Sequence, residues 1–172
     1  MPHRMPPPVV GYVGSLDDRI DYALLEFVIR RSPHLRFRFI GRITAVASVN
    51  ALRKYSNVEF MPPVAYVEVP DQVSRLAVGL IPFVKDEFTR FIYPLKVNEY
   101  LAVGKPVVMT NFTQLEEFAE VAWICNDREA FLGGIHQALV NNDSNLRAKR
   151  AQVAQQNSWE HRTQKFIKVL SD

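Results

Sequence analysis

Lys96 and Glu99 stand three residues apart in the stretch Tyr93-Pro94-Leu95-Lys96-Val97-Asn98-Glu99-Tyr100-Leu101-Ala102-Val103-Gly104-Lys105-Pro106-Val107-Val108. That spacing places an ammonium and a carboxylate together on one helix face. A carboxylate accepts hydrogen bonds from a vicinal diol through charge-assisted contacts, the stronger kind. A lysine beside bare N-terminal amides suits a bound phosphate. In the first turn it also opposes the helix dipole, which favours anions there. The alternative from local chemistry is a solvated i,i+3 ion pair worth a few tenths of a kcal/mol. Local chemistry by itself favours the ion pair.

Other chemistry-bearing residues stand where strands give way to turns. Gly11-Tyr12-Val13-Gly14-Ser15-Leu16 precedes Asp17-Asp18-Arg19, and Phe39-Ile40 runs into Gly41-Arg42. A glycine after a first strand lets backbone amides approach a diphosphate, although a plain tight turn needs no more than the same residues. Asp17 and Asp18 would repel a diphosphate if they pointed inward; facing solvent or capping the next helix is the expected arrangement. Arg42 is either a fork for phosphate or an exposed loop residue. Asn57-Val58-Glu59-Phe60-Met61-Pro62-Pro63-Val64-Ala65-Tyr66 and Asp86-Glu87-Phe88-Thr89-Arg90-Phe91-Ile92-Tyr93 supply two further polar loops. For Tyr66, packing in a core or lid is an equal alternative to ligand contact.

Together these stretches resemble, from Val9 onward, the C-terminal, donor-binding half of bacterial B-fold (GT-B) glycosyltransferases of polysaccharide and capsule biosynthesis. Members carry the form Pro-Leu-Lys-x-x-Glu-Tyr-Leu-Ala-x-Gly-Lys-Pro-Val-Val. The resemblance implies that Glu99 holds the donor ribose and that Lys96 lies near the diphosphate or sugar. It implies further that Gly14 and Ser15 form a phosphate loop, that Gly41 and Arg42 border the donor, and that Val64 and Tyr66 flank the base. Thr89 and Arg90 would reach donor phosphate or sugar. Two departures stand out. Ser15 occupies a place where many relatives have arginine, with Arg19 only loosely replacing their lysine. Phe91 occupies the place, eight positions before Glu99, where many retaining relatives have a glutamate. Asp86 or Glu87 could substitute spatially, so retention or inversion stays open.

The implied activity is transfer of a sugar from a nucleotide diphosphate sugar to a hydroxyl, with the nucleotide sugar as substrate and no cofactor. The implied partners are an N-terminal acceptor-binding domain not contained in these residues and a lipid-linked acceptor at the membrane surface. A cytoplasmic protein, peripheral at the inner membrane face, is the corresponding expectation. Two alternatives stay open: a non-catalytic nucleotide-sugar-binding subunit completed by a partner, and half of a sugar-nucleotide epimerase. No residue is marked as the catalytic base.

The elements that must position these residues alternate from end to end. Strands are expected at Val9 to Val13, Arg36 to Ile40, Val58 to Met61, Val78 to Pro82, Val107 to Met109 and around Trp123. Helices are expected at Tyr22 to Arg30 (Leu24, Leu25, Val28 and Ile29 inward), Ala45 to Tyr55, Val69 to Arg75, and from Pro94 to the glycine stop at Gly104. Two more should run over Arg128 to Val140 and Asn145 to Val169, the last bent near Asn157-Ser158. In the Pro94 helix, Val97, Tyr100 and Leu101 form the inward stripe. Such alternation, with strands apolar on both faces, gives an α/β fold: a Rossmann-like parallel sheet of about six strands covered by helices on both faces. Ligands of such sheets bind beyond the carboxyl ends of the strands, where strand order reverses.

At 172 residues, 48% hydrophobic and 23% charged, the chain has the size and make-up of one globular domain. Residues 1–8, proline-rich, are expected to be a linker, and 9–172 the nucleotide-sugar-binding domain. No apolar run reaches a membrane span. The single cysteine, Cys125, lies in an apolar run, suits a reducing compartment and belongs to the core rather than to nucleophilic chemistry. The net charge of +3 is mild. Its basic cluster, Arg147, Lys149, Arg150, Arg162, Lys165 and Lys168, is expected to be a solvated helix face, with an anionic membrane surface as the alternative. No aromatic-interleaved basic platform points to nucleic acid. His3, His34, His136 and His161 are scattered, so no metal site is expected.

Overall fold

The computed structural model describes residues 6–158 and Glu160. Six strands form one parallel sheet: β1 (Val9–Val13), β2 (Arg36–Ile40), β3 (Val58–Met61), β4 (Val78–Ile81), β5 (Val107–Thr110) and β6 (Ala122–Cys125). Their order is β3-β2-β1-β4-β5-β6, that of the doubly wound nucleotide-binding sheets. The six expected strands are all present, within one residue at their ends where bounds were set. Val10, Phe37, Phe39, Val78, Leu80, Val107 and Val108 are all 0% exposed, because helices cover both faces of the sheet.

The helices are α1 (Tyr22–Arg31), α2 (Val46–Leu52), α3 (Val69–Ser74), α4 (Leu95–Ala102), α5 (Arg128–Val140) and α6 (Ser144–Gln156). On one side α1 touches α5; elsewhere α3 touches α4, and α6 packs along α4. Leu24, Leu25, Phe27, Val28 and Ile29 of α1 are buried. Asp21, rather than Asp17 or Asp18, caps this helix by accepting from the Leu24 N–H at 2.8 Å. Helix α2 is shorter than expected. Residues 53–54 turn out of it, and Asn57 donates its side-chain amide to the Ile29 and Ser32 carbonyl oxygens, which ties down the approach to β3. The expected continuation of the last helix, with Trp159, Arg162, Lys165 and Lys168, lies outside the described residues, as do His3 and His161. His34 and His136 are not scattered: their rings lie 5.9 Å apart.

One expectation about charge is corrected. Arg150 is 1% exposed and so is no part of a solvated face. Lys149 pairs with Glu120 at 2.6 Å, as a surface lysine does.

Helix α4 is locked into the sheet by its own sequence. Val97, Tyr100 and Leu101 are all 0% exposed. Gly104, past the helix end, has φ +73°, the left-handed turn that a β-carbon disfavours. Strand β1 pairs with β2 over its whole length but with β4 only at Val10 and Gly11. Beyond that point β1 and β4 part, and the Val13 N–H donates to the Tyr100 hydroxyl at 2.9 Å. A β-carbon on Gly79 would run into the Tyr100 ring. The parted strands mark the reversal of strand order and open a crevice there.

Candidate functional site

The crevice over the parted strands is a cavity of about 390 Å³ lined by Tyr12, Gly14, Ser15, Arg19, Tyr93 and Lys96, among others. A second cavity, of about 470 Å³, continues on the other side of Leu95 and is lined by Tyr66, Asn98, Glu99 and Asn157, among others. Leu95 borders both. Between them Lys96 and Glu99 are joined by an ion pair of 2.8 Å, their side chains 29% and 23% exposed. The geometry therefore forms one path along the start of α4, from Tyr66 past Glu99 and Lys96 to Gly14 and Ser15.

The loop after β1 is shaped by close backbone contact. The Gly14 N–H donates to the Ile40 carbonyl and the Leu16 N–H to that of Arg42, each at 2.8 Å. The Ser15 N–H between them has no acceptor among the described residues. Gly41 has φ +153°, and a β-carbon there would strike the Gly14 carbonyl, while one on Gly14 would run into the Tyr12 hydroxyl, so the turn takes glycine at both places. Arg19 grips Asp17 with both its Nε and Nη2 and lies 5.5 Å from the Phe83 ring centroid. Burial pushes the Asp17 carboxyl up, but hydrogen bonds from Arg19 outweigh it and hold the group below the ordinary carboxylate range. Both cations at the crevice are thus already paired, Arg19 with Asp17 and Lys96 with Glu99. An incoming anion must exchange partners with them.

Of the residues singled out from sequence, Gly14, Ser15, Lys96, Glu99 and Tyr66 line these two cavities. Gly41 abuts Gly14 from behind. Tyr66 is 81% exposed, which removes core packing as its role. Val64 is half-buried and packed against the core. Arg42 is exposed beside the loop. Arg90 is exposed and pairs with Glu87 at 2.8 Å, bordering a separate cavity with Lys85 and Asn111. Thr89 is not brought to the path. It is 0% exposed, and its hydroxyl donates to the Val84 carbonyl at 2.7 Å. The Asp86 carboxylate accepts from the Phe88 and Thr89 N–H groups. Asp86 and Glu87 are therefore engaged inside their own loop rather than standing in for the glutamate replaced by Phe91.

Sequence reasoning gave no site role to Tyr12, Tyr93, Asn98 or Asn157. Asn157 donates to the Asn98 carboxamide oxygen at 3.2 Å, and Asn98 donates to the Tyr93 hydroxyl at 2.9 Å. These bonds tie the middle of α4 to the chain just before its start and to the end of α6, beside Glu99. Tyr12 sits inside a strand and reads as core; nothing local distinguishes it. Cys125 is buried, and burial raises its thiol to about 11, as befits a core residue. Among the described residues no group of three or more His, Cys, Asp or Glu could hold a metal ion.

A parallel α/β sheet whose strand order reverses beneath a polar crevice defines a Rossmann-like domain with its ligand position at that reversal. The family described as Glycosyl transferases group 1 matches residues 7–141, and the chain belongs to that family. A Bacillus subtilis (strain 168) protein, TuaH, assigned by its name to teichuronic acid biosynthesis as a glycosyltransferase, is 24% identical over 158 residues, covering 88% of this chain and 40% of its own. The fold matches OtsA in its apo form with a TM-score of 0.75 at 18% identity, over 98% of this chain and 44% of that one. It also matches Anabaena HepE in complex with UDP and glucose, with a TM-score of 0.66 at 18% identity, over 95% and 48%. The fold is thus that of one half of a GT-B glycosyltransferase. The chain spans less than half the length of each of these relatives.

Proposed function

We propose that this chain is the donor-binding, C-terminal half of a glycosyltransferase that moves a sugar from a nucleotide diphosphate sugar to a hydroxyl in bacterial polysaccharide or glycolipid assembly. The observation that carries the reading is the path from Tyr66 through Glu99 and Lys96 to the Gly14-Ser15 turn. In it the base lies against Tyr66 and the Val64 loop, the ribose diol donates to Glu99, and the diphosphate lies between Lys96 and the Ser15 amide. Gly41 and Arg42 back this end; Arg90 is assigned to the sugar side, and Thr89 shapes the loop that presents it. No cofactor is assigned. As the sugar carbon exchanges its bond to phosphate oxygen for one to the acceptor oxygen, the leaving diphosphate takes the electron pair. Fixed amides and cations stabilise that developing charge without reorganisation. The acceptor wall and the base come from outside these residues, from an N-terminal acceptor domain. Of the matched structures, HepE holds UDP and glucose, and one from E. coli is bound with UDP-2-fluoro glucose. UDP is therefore the first ligand to test, followed by GDP, ADP and TDP.

Titration calorimetry of the wild type and Glu99→Gln tests this assignment. The variant keeps size and polarity but removes the charge from the acceptor of the diol, and should bind more weakly by roughly 1.5–3 kcal/mol. Unchanged affinity, with matched circular dichroism, removes Glu99 from the site. No binding of any nucleoside diphosphate removes the reading.

A further inference from the structure

The crevice opens over the carboxyl ends of the strands; a pair of histidines stands at the other end of the sheet. His34 precedes Arg36, the first residue of β2, and His136 lies in the second half of α5. Their rings are 5.9 Å apart, centre to centre, and tilted by 32°. Both side chains are exposed, whereas the backbone under each is held. Ser32-Pro33-His34-Leu35 is a turn closed by the Leu35 N–H, which donates to the Ser32 carbonyl at 3.0 Å. Proline in its second place has the fixed φ that such a turn takes. Leu35 and Ile135, the chain neighbours of the two histidines, are 1% and 0% exposed. Room lies beside the pair as well. A helical side chain leans over the turn before its own Cα. One turn before His136 stands Gly133, where nothing lies within 4 Å of the place a β-carbon would take.

Imidazole is the commonest side-chain ligand of transition metals, and the spacing of the pair can be set against metal geometry. A metal–nitrogen bond of about 2.0–2.1 Å, with the ring centre about 1.15 Å behind each nitrogen, puts two imidazole centres about 4.5 Å apart at a right angle and about 6.4 Å apart when opposed. The observed 5.9 Å falls inside that range. Exposed side chains change rotamer within nanoseconds, so turning a nitrogen of each ring to one ion requires no movement of the backbone. We propose that His34 and His136 together hold one divalent transition-metal ion. Two neutral nitrogen ligands without a carboxylate favour Cu²⁺ over Ni²⁺ and Zn²⁺, and disfavour Mg²⁺ and Ca²⁺, which take oxygen. Among the described residues no group of three or more His, Cys, Asp or Glu could hold a metal ion, so water completes the coordination and the site is a two-ligand clamp. The ion would join the turn that feeds β2 to α5. Neither histidine lines the crevice, so the proposal stands whatever the fate of the donor assignment.

The test titrates the full, untagged chain with chloride salts of Cu²⁺, Ni²⁺, Zn²⁺ and Mg²⁺ by calorimetry, and follows the Zn²⁺ titration through the ring-proton resonances of the histidines. The His34 and His136 resonances should move together and saturate at the same Zn²⁺ concentration. His34→Ala and His136→Ala should each weaken Cu²⁺ binding by about tenfold or more. The double variant should bind no more weakly than either single one, because a clamp is lost with its first ligand. His3 and His161 remain in all these variants, so any ion they hold contributes equally to each. Glu99→Gln should bind the ion as the wild type does. Resonances that Zn²⁺ leaves in place overturn the site, and this reading needs no variant. Additive losses, each variant removing only its own share, would make the two rings separate solvated ligands and overturn the clamp. Mg²⁺ binding as tightly as Cu²⁺ overturns the nitrogen-ligand assignment, and weakened binding in Glu99→Gln overturns its independence from the crevice.

Discussion

Lys96 should matter for binding and little for stability. In the first turn of α4 its charge opposes the helix dipole, and its pair with Glu99 is partly solvated, so neither contact adds much to the fold. Lys96→Ala should leave the melting temperature nearly unchanged while weakening diphosphate binding by about 1.5 kcal/mol at low salt. The difference between the two proteins should shrink as salt rises, because screening weakens the phosphate contact; calorimetry at several salt concentrations measures this. A variant that melts markedly lower yet binds normally would make the lysine structural. Asp17 behaves differently. Its folded-state pKa is depressed, so its contribution to stability is present above the unfolded value of about 3.9 and is lost as pH falls through the folded one. The melting temperature of Asp17→Asn should trail that of the wild type by a constant gap above about pH 5, and the gap should close below about pH 4. A gap that does not narrow at all as pH falls below about 4 would assign Asp17 a role other than its charge. That Glu99 and Lys96 share one helix face was legible from their spacing; their assignment to a donor came from the resemblance alone. The Lys96–Glu99 pair was foreseen as one of two alternatives, whereas the solvent exposure of Tyr66 was not foreseen. The retention of Asp86 and Glu87 within their own loop was not legible, since it depends on Thr89 folding that loop inward.

At the scale of elements, Tyr100 joins α4 to β1 where the sheet divides. Its hydroxyl is the acceptor for the Val13 N–H, a group that the shortened β1–β4 pairing leaves without a strand partner. Burial raises the Tyr100 pKa far above its ordinary value, although the bond from Val13 lowers it in part, so the phenol stays protonated across the working range. Tyr100→Phe keeps the packing and removes the acceptor, leaving a buried N–H unmatched. It should destabilise the chain by about 1–3 kcal/mol, seen as a lower urea midpoint with an unchanged slope. An unaltered midpoint would mean that water or a shift in β1 satisfies Val13. The strands themselves were plain from sequence because parallel strands buried on both faces appear as short apolar runs stopped by glycine, as at Gly14 and Gly41. The 3₁₀ turns at Tyr66–Glu68, Thr89–Phe91 and Glu116–Phe118 were not, being too short to carry a period. Arg150 shows the same limit from the other side. Its place among basic residues near the C-terminus put it in a solvated cluster, whereas it packs in the folded chain with Asn142, Gly104 and Trp123.

For the whole molecule, the question is which part of sugar transfer these residues can perform without a second wall. The crevice opens at the carboxyl ends of the strands, and the chain corresponds to 40–48% of the length of the relatives it matches. Donor binding needs contacts with base, ribose and diphosphate, all of which the path along α4 can supply. Transfer also needs an acceptor hydroxyl held in line with the sugar carbon, and such positioning contributes up to about 7–11 kcal/mol of a barrier. The proposed function places the groups that hold that hydroxyl on a second, acceptor-binding half. The chain by itself should therefore bind donor yet transfer sugar at least about a thousandfold more slowly than a protein that joins it to an acceptor-binding half. Hydrolysis of the donor should be similarly slow, because water is held no better than the acceptor. The comparison uses labelled UDP-sugar at saturation, with a membrane extract as acceptor source, and measures the isolated chain beside the joined protein. Transfer at comparable rates would require an acceptor site within these residues and would overturn the division of labour. Binding without transfer in the isolated chain, restored when the second half is joined, is the result that the crevice geometry leads us to expect.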